Sequence, residues 1–185
     1  MPIIVVPYDP RWPLAFQAMA QVYARALEGV AIAIEHVGST SVPGLAAKPI
    51  LDIDIVIPSR AALSETIVRL AALGYRHQGD LGISDREAFV ARDEDSYRPC
   101  EDGGGPWPEH HLYVCPATSR ELHRHLGFRD WLRSHPGVAA EYARLKKKLA
   151  AIHGDDRDAY TRAKTNFIER ELFAQSGATG QVPAR

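Results

Sequence analysis

Cysteine is scarce in this chain of 185 residues, with only Cys100 and Cys115 present. They form no Cys-x-x-Cys pair, which excludes a paired-cysteine zinc ribbon or a dithiol redox motif and suits reduced thiols in the cytoplasm. Net charge is almost absent as well: 22 Lys and Arg stand against 23 Asp and Glu, leaving −1. No global field therefore draws the chain to nucleic acid or to an acidic membrane. A basic stripe with interleaved aromatics is missing too, which argues against a nucleic-acid partner. No apolar run is long enough to cross a bilayer. The opening Met1–Val6 is apolar but short and lacks the basic start of a signal peptide, so the expected location is cytoplasmic. What is present is 45% hydrophobic and 24% charged, ordinary for a globular protein and enough for one domain with a real core.

Apolar periodicity lays out the elements. Ile3–Val6 reads as a short strand. Asp9-Pro10-Arg11-Trp12-Pro13 turns into a helix that carries Phe16, Ala20, Tyr23 and Leu27 on one stripe and ends at Gly29; Trp12 reads as a staple closing its start. Val30–Val37 alternates as a strand. Ser59 caps a helix running through Leu73, with Gly74 stopping it and an extended piece starting at Tyr75. Arg86–Arg92 and His110–Cys115 read as strands, and the polar, glycine-rich stretch from Asp93 to Pro108 as a mobile loop. Three helices follow. Ser119 caps the first, Pro136 opens the second with Val138, Tyr142, Leu145 and Leu149 on one stripe, and the third carries Tyr160, Phe167, Ile168 and Leu172. Within the second, Lys146-Lys147-Lys148 reads as a solvated face. The expected architecture is α/β (α+β): a small mixed β-sheet with flanking helices and a C-terminal helical part, residues 1–175 forming one domain and 176–185 a flexible tail.

Chemistry concentrates in one run, from His36-Val37-Gly38-Ser39-Thr40-Ser41 to Leu51-Asp52-Ile53-Asp54-Ile55-Val56-Ile57. Side chains alternate along a strand, so Asp52 and Asp54 share one face and the aliphatics take the other. Two carboxylates on a core strand are costly to bury without a cation between them, and hard oxygen ligands suit Mg²⁺ or Mn²⁺. Before them, Gly38 allows close backbone approach, and Ser39, Thr40 and Ser41 supply hydroxyls and amides. Donors beside an acid pair suit a polyphosphate. The run is not a Walker A loop, because no Lys-Ser or Lys-Thr follows Gly44.

This Gly-Ser turn followed by an Asp-x-Asp strand resembles the signature of the DNA polymerase β-like nucleotidyltransferases. The longer string from His36 to Pro49 looks like the GrpB family within that superfamily, which also occurs fused to dephospho-CoA kinase. The resemblance extends to Pro7-Tyr8-Asp9-Pro10-Arg11-Trp12, Phe128-Arg129-Asp130-Trp131-Leu132, Tyr142-Ala143-Arg144-Leu145-Lys146 and Tyr160-Thr161-Arg162-Ala163-Lys164. It implies a nucleotidyltransferase-like fold in which Asp52 and Asp54 hold one or two Mg²⁺ ions. It also implies that Gly38, Ser39 and Thr40 hold the β- and γ-phosphates of an NTP, that a nucleoside monophosphate passes to a small acceptor, and that Lys164 reaches the triphosphate.

Lys48 is adjacent to the turn by sequence. Arg86 and Arg129 are further candidate cations for the phosphates. The third carboxylate usual in that superfamily has no counterpart in a motif here. The strand best placed for it carries His111, able to ligate a metal or to act as a base, and where GrpB proteins have His-x-His this chain has His111-Leu112-Tyr113. Glu87 and Glu109 are the remaining acids nearby. That gap motivates a second reading, a non-catalytic nucleotide-binding or partner-assisting module of the same fold. His123 and His125, two apart on a helix, face different directions and make no zinc pair.

Overall fold

A computed structural model describes residues 2–91 and 107–178. Its centre is a five-stranded mixed sheet made of β1 (Ala33–Val37), β2 (Leu51–Ile57), β3 (Tyr75–Gly79), β4 (Glu87–Ala91) and β5 (His110–Pro116), in the order β1-β2-β5-β4-β3. β2 pairs antiparallel with β1 and parallel with β5; the β5–β4 and β4–β3 pairs are antiparallel. The helices are α1 (Arg11–Ala26), α2 (Leu63–Ala72), α3 (Arg120–Ser134), α4 (Pro136–His153) and α5 (Arg157–Ala178). This is the architecture the sequence led us to expect.

The alternation along β2 decides how the layers stack. Leu51, Ile53, Ile55 and Ile57 project from one face into the main core, where they meet Met19, Tyr23 and Leu27 of the α1 segment and Leu70 of α2. Such aliphatic burial is worth about 1.5–3 kcal/mol per side chain. The opposite face carries Asp52, Asp54 and Val56, and by register it continues across β5 as His111, Tyr113 and Cys115. Leu122 of α3 packs on Val56 and Cys115 there. α3, α4 and α5 form a helical wall of their own, held by Leu132, Tyr142 and Phe167 together with Val42 and Leu45 from the loop before β2. A cavity is left between this wall and the acid-bearing part of the sheet.

Several boundaries differ from the sequence reading. Ile3–Val6 is no strand; Val6 makes only an isolated antiparallel bridge with Ala47. β1 begins at Ala33 rather than Val30, because Leu27, Val30 and Ala31 still complete the turn that leaves α1. Ser59 does cap, its hydroxyl accepting from the Ala61 amide, but a 3₁₀ turn over Arg60–Ala62 precedes α2. α5 runs on to Ala178, past the expected start of the tail at 176. Arg92 at the end of the expected strand, residues 93–106 of the expected mobile loop, Cys100 among them, and residues 179–185 of the expected tail lie outside the described residues. No described helix is long and apolar enough to cross a membrane.

Candidate active site

The turn after β1 is set by one glycine. Gly38 has φ +68°, and a Cβ placed on it would come within 2.8 Å of Asp52 Cγ and 2.9 Å of Asp52 Cβ. Only glycine supplies both the positive φ and the space. The turn then continues as a 3₁₀ helix, Ser39–Ser41, closed by the Ser41 hydroxyl donating to the Gly38 carbonyl at 2.7 Å. Ser39 lines the cavity, as does Tyr142. Thr40 does not line it. Its buried hydroxyl pairs with His36 Nε2 at 3.0 Å and donates to the Ile50 carbonyl at 3.4 Å, tying the turn to its flanks.

The two acids share a face, as alternation requires, but they do not share an open seat. Asp52 Oδ1 accepts from His111 Nδ1 at 2.8 Å, and Asp52 lines the cavity. Burial raises the Asp52 pKa, yet the His111 hydrogen bond and the fields of His111, His125 and Lys164 outweigh it, so the carboxyl titrates below its usual range. Asp54 is fully buried and pairs with His125 Nδ1 at 2.7 Å, while its Oδ1 has no hydrogen-bond partner among the described residues. For Asp54 burial wins, and its pKa is raised. The other nitrogen of His125 lies 3.1 Å from Glu121 Oε1. Burial works against the imidazolium, but two flanking carboxylates overcome it and lift His125 to about 9. Each acid is thus already matched with a histidine. Among the described residues no group of three or more His, Cys, Asp and Glu stands ready to cage a metal.

Register puts His111 directly opposite Asp52, and Tyr113 opposite Asp54, on the parallel neighbour strand. These two occupy the stretch where the sequence reading looked for a third acid. Glu87 points the other way: it faces Val114 in register and is held by His77 Nε2 at 2.8 Å and Arg60 at 3.1 Å on the far face of the sheet. Glu109 is exposed just before β5.

The cavity measures about 360 Å³, and five basic side chains line it: Lys48, Arg86, Arg124, Lys146 and Lys164. Asp52 is the carboxylate of the lining. Arg86 lies over the Tyr113 ring at 4.4 Å with Nη1 3.9 Å from Glu121. Arg124 forks onto Glu121 at 2.7 and 2.9 Å. Lys164 stands over Tyr160 at 4.6 Å; burial, then the field of Lys48, works against its charge, and despite Asp52 its pKa falls to about 8. Arg129 is elsewhere, bonded to Glu35 at 2.7 Å and the His36 carbonyl at 3.2 Å.

Sequence reasoning missed four members of the site. Lys146, taken for part of a solvated run, is 2% exposed and has no hydrogen-bond partner for its ammonium, which lies 4.6 Å from the Tyr142 ring centroid. It sits four residues after Tyr142 and three before Leu149, so the apolar stripe itself carried the signal. His125 and Glu121 are an i, i+4 pair on α3, which was there to be read. Arg124 had no signal of its own.

A family model described as GrpB protein matches residues 2–172. The chain belongs to the GrpB family. It is 40% identical over 177 residues to UPF0157 protein PA4798 of Pseudomonas aeruginosa, covering 96% of this chain and 69% of that protein. The crystal structure of the conserved protein GrpB from Enterococcus faecalis has the same fold: TM-score 0.79, 31% identity, 96% of this chain and 100% of that one. A GrpB-like stretch also occurs in the dephospho-CoA kinase of Mycolicibacterium paratuberculosis, 29% identical over 203 residues, where 98% of this chain spans 49% of the kinase.

Proposed function

We propose that this GrpB chain is a nucleotidyltransferase that binds an NTP in the cavity and passes its nucleoside monophosphate to a small acceptor. The observation that carries the reading is the cation-lined cavity built around Gly38, Ser39 and Asp52, where a tight turn and basic side chains from three helices converge on one carboxylate. Ser39, the amides of the turn, Lys48, Arg86 and Lys164 hold the triphosphate. In the transfer, an acceptor hydroxyl oxygen bonds to the α-phosphorus, the α–β bridging P–O bond breaks, and pyrophosphate leaves with the bonding pair. The acceptor's proton goes to His111 Nε2, since the hydrogen bond to Asp52 keeps the other ring proton on Nδ1. Positioning and charge complementarity do most of the work, as phosphoryl chemistry requires.

The residues fit a divalent ion in one respect: Asp54 Oδ1 is buried without a partner on the same strand face as Asp52. Mg²⁺ or Mn²⁺ would be held by Asp52 and Asp54, where it supplies neutralisation of phosphate charge. Isothermal titration with NTP and Mg²⁺ tests the reading. Wild type binds with saturation and Asp52→Ala does not; equal binding to both removes the site from this function.

A second reading is favoured by a specific observation: both acids are engaged by histidines and His111 and Tyr113 stand where a third acid would be. A chain of that kind binds nucleotide without turnover, or assists a partner as its occurrence within a dephospho-CoA kinase suggests. Release of pyrophosphate in the presence of a panel of phosphorylated and neutral alcohols decides between the two.

A further inference from the structure

Lys146 is the feature of the cavity that the nucleotide reading leaves over. Each of the other basic groups has a place. Arg124 is forked onto Glu121, Arg86 is stacked on Tyr113, Lys164 lies by Tyr160 within the field of Asp52, and Lys48 follows the turn. Lys146 comes from α4, is 2% exposed, lines the cavity, lies over the face of Tyr142, and has no hydrogen-bond partner for its ammonium among the described residues. An ammonium buried without acceptors costs several kcal/mol, so three N–H donors held there need oxyanions from a ligand. Ser39 of the turn, Tyr142 and Lys146 line one cavity, and Lys146 covers the Tyr142 ring from α4.

We propose that the molecule receiving the nucleoside monophosphate carries a phosphate group of its own, and that Lys146 holds that phosphate. This rests on the nucleotidyltransferase reading and names its acceptor class: a small phosphorylated alcohol, not a neutral alcohol or a polyamine. An amine-rich acceptor meets a lining rich in basic side chains; a phosphorylated one completes the coordination of Lys146. The burial and the neighbouring Lys164 that push Lys146 down to about 7 are reversed once a dianion sits against it.

The test saturates the protein with the α,β-methylene analogue of ATP or UTP plus Mg²⁺, then titrates glycerol 3-phosphate, inorganic phosphate or glycerol by calorimetry. Both phosphate probes bind on top of the analogue, and glycerol does not. Lys146→Met and Lys146→Gln each weaken the phosphate probes by about tenfold or more, the scale of a lost charge-assisted hydrogen bond, while Lys147→Met at the exposed neighbouring position leaves them unchanged. Displacement of the phosphate probes by the analogue would assign Lys146 to the triphosphate and overturn the proposal. So would phosphate binding that survives both Lys146 variants, or no phosphate binding at all, even with the analogue bound normally. If the analogue itself fails to bind, the nucleotide reading falls, and the phosphate titration of wild type against the Lys146 variants still decides the subsite.

Discussion

The two walls of the cavity handle charge in opposite ways. On the sheet wall both acids of the site have a close histidine partner: Asp52 has His111, and Asp54 has His125, which is itself shared with Glu121. On the helical wall Lys146 and Lys164 present ammonium groups against tyrosine rings rather than carboxylates. Removing one member of a buried charge pair is expensive, whereas a buried ammonium without a hydrogen-bond partner itself destabilises the fold. The sheet wall thus brings its acids already matched, and the helical wall brings ammonium groups that are not.

The contrast is broken most severely at Asp54. Asp54→Ala leaves His125 buried with only Glu121, and equilibrium urea unfolding should show a loss of about 3 kcal/mol near pH 6.5. His125 is raised from 6.5 to about 9 in the folded chain, so the stability it contributes is complete below pH 6.5 and disappears as pH rises through about 9. The difference between Asp54→Ala and wild type should shrink over that window; a difference independent of pH would show that the pairing is not ionic.

Gly38→Ala comes next, at about 2 kcal/mol by the same measurement, because the new methyl meets the Asp52 carboxylate and the φ of +68° adds strain. The smallest effect has the opposite sign. Lys146→Met should raise stability at pH 7 by about 1 kcal/mol. The unfolded chain keeps the lysine proton up to about 10.5 whereas the folded chain releases it near 7, so the gain is largest below pH 7 and fades as pH approaches 10.5. A Lys146→Met protein that unfolds more easily than wild type at pH 6 would erase the distinction between the walls.

The sheet wall was also the half that could be read from the chain. Gly38, Ser39, Asp52 and Asp54 lie within one short run, and strand alternation alone puts the acids on one face; His111 follows from the next hydrophobic strand. The helical wall depends on how three helices rotate against one another, which local sequence does not fix. Lys146 looked like the first of three solvated lysines, although its spacing from Tyr142 and Leu149 put it on the buried stripe. At Thr40 the residue type suits a phosphate, but once the turn forms its hydroxyl pairs with His36 and Ile50, which leaves the turn amides as its donors. The carboxylate–histidine matches were invisible because they join residues 59 and 71 positions apart.

Because the backbone at Gly38 rests directly on the Asp52 side chain, the turn cannot shift toward the strand without displacing that carboxylate. Whatever moves the loop is therefore felt at the acid.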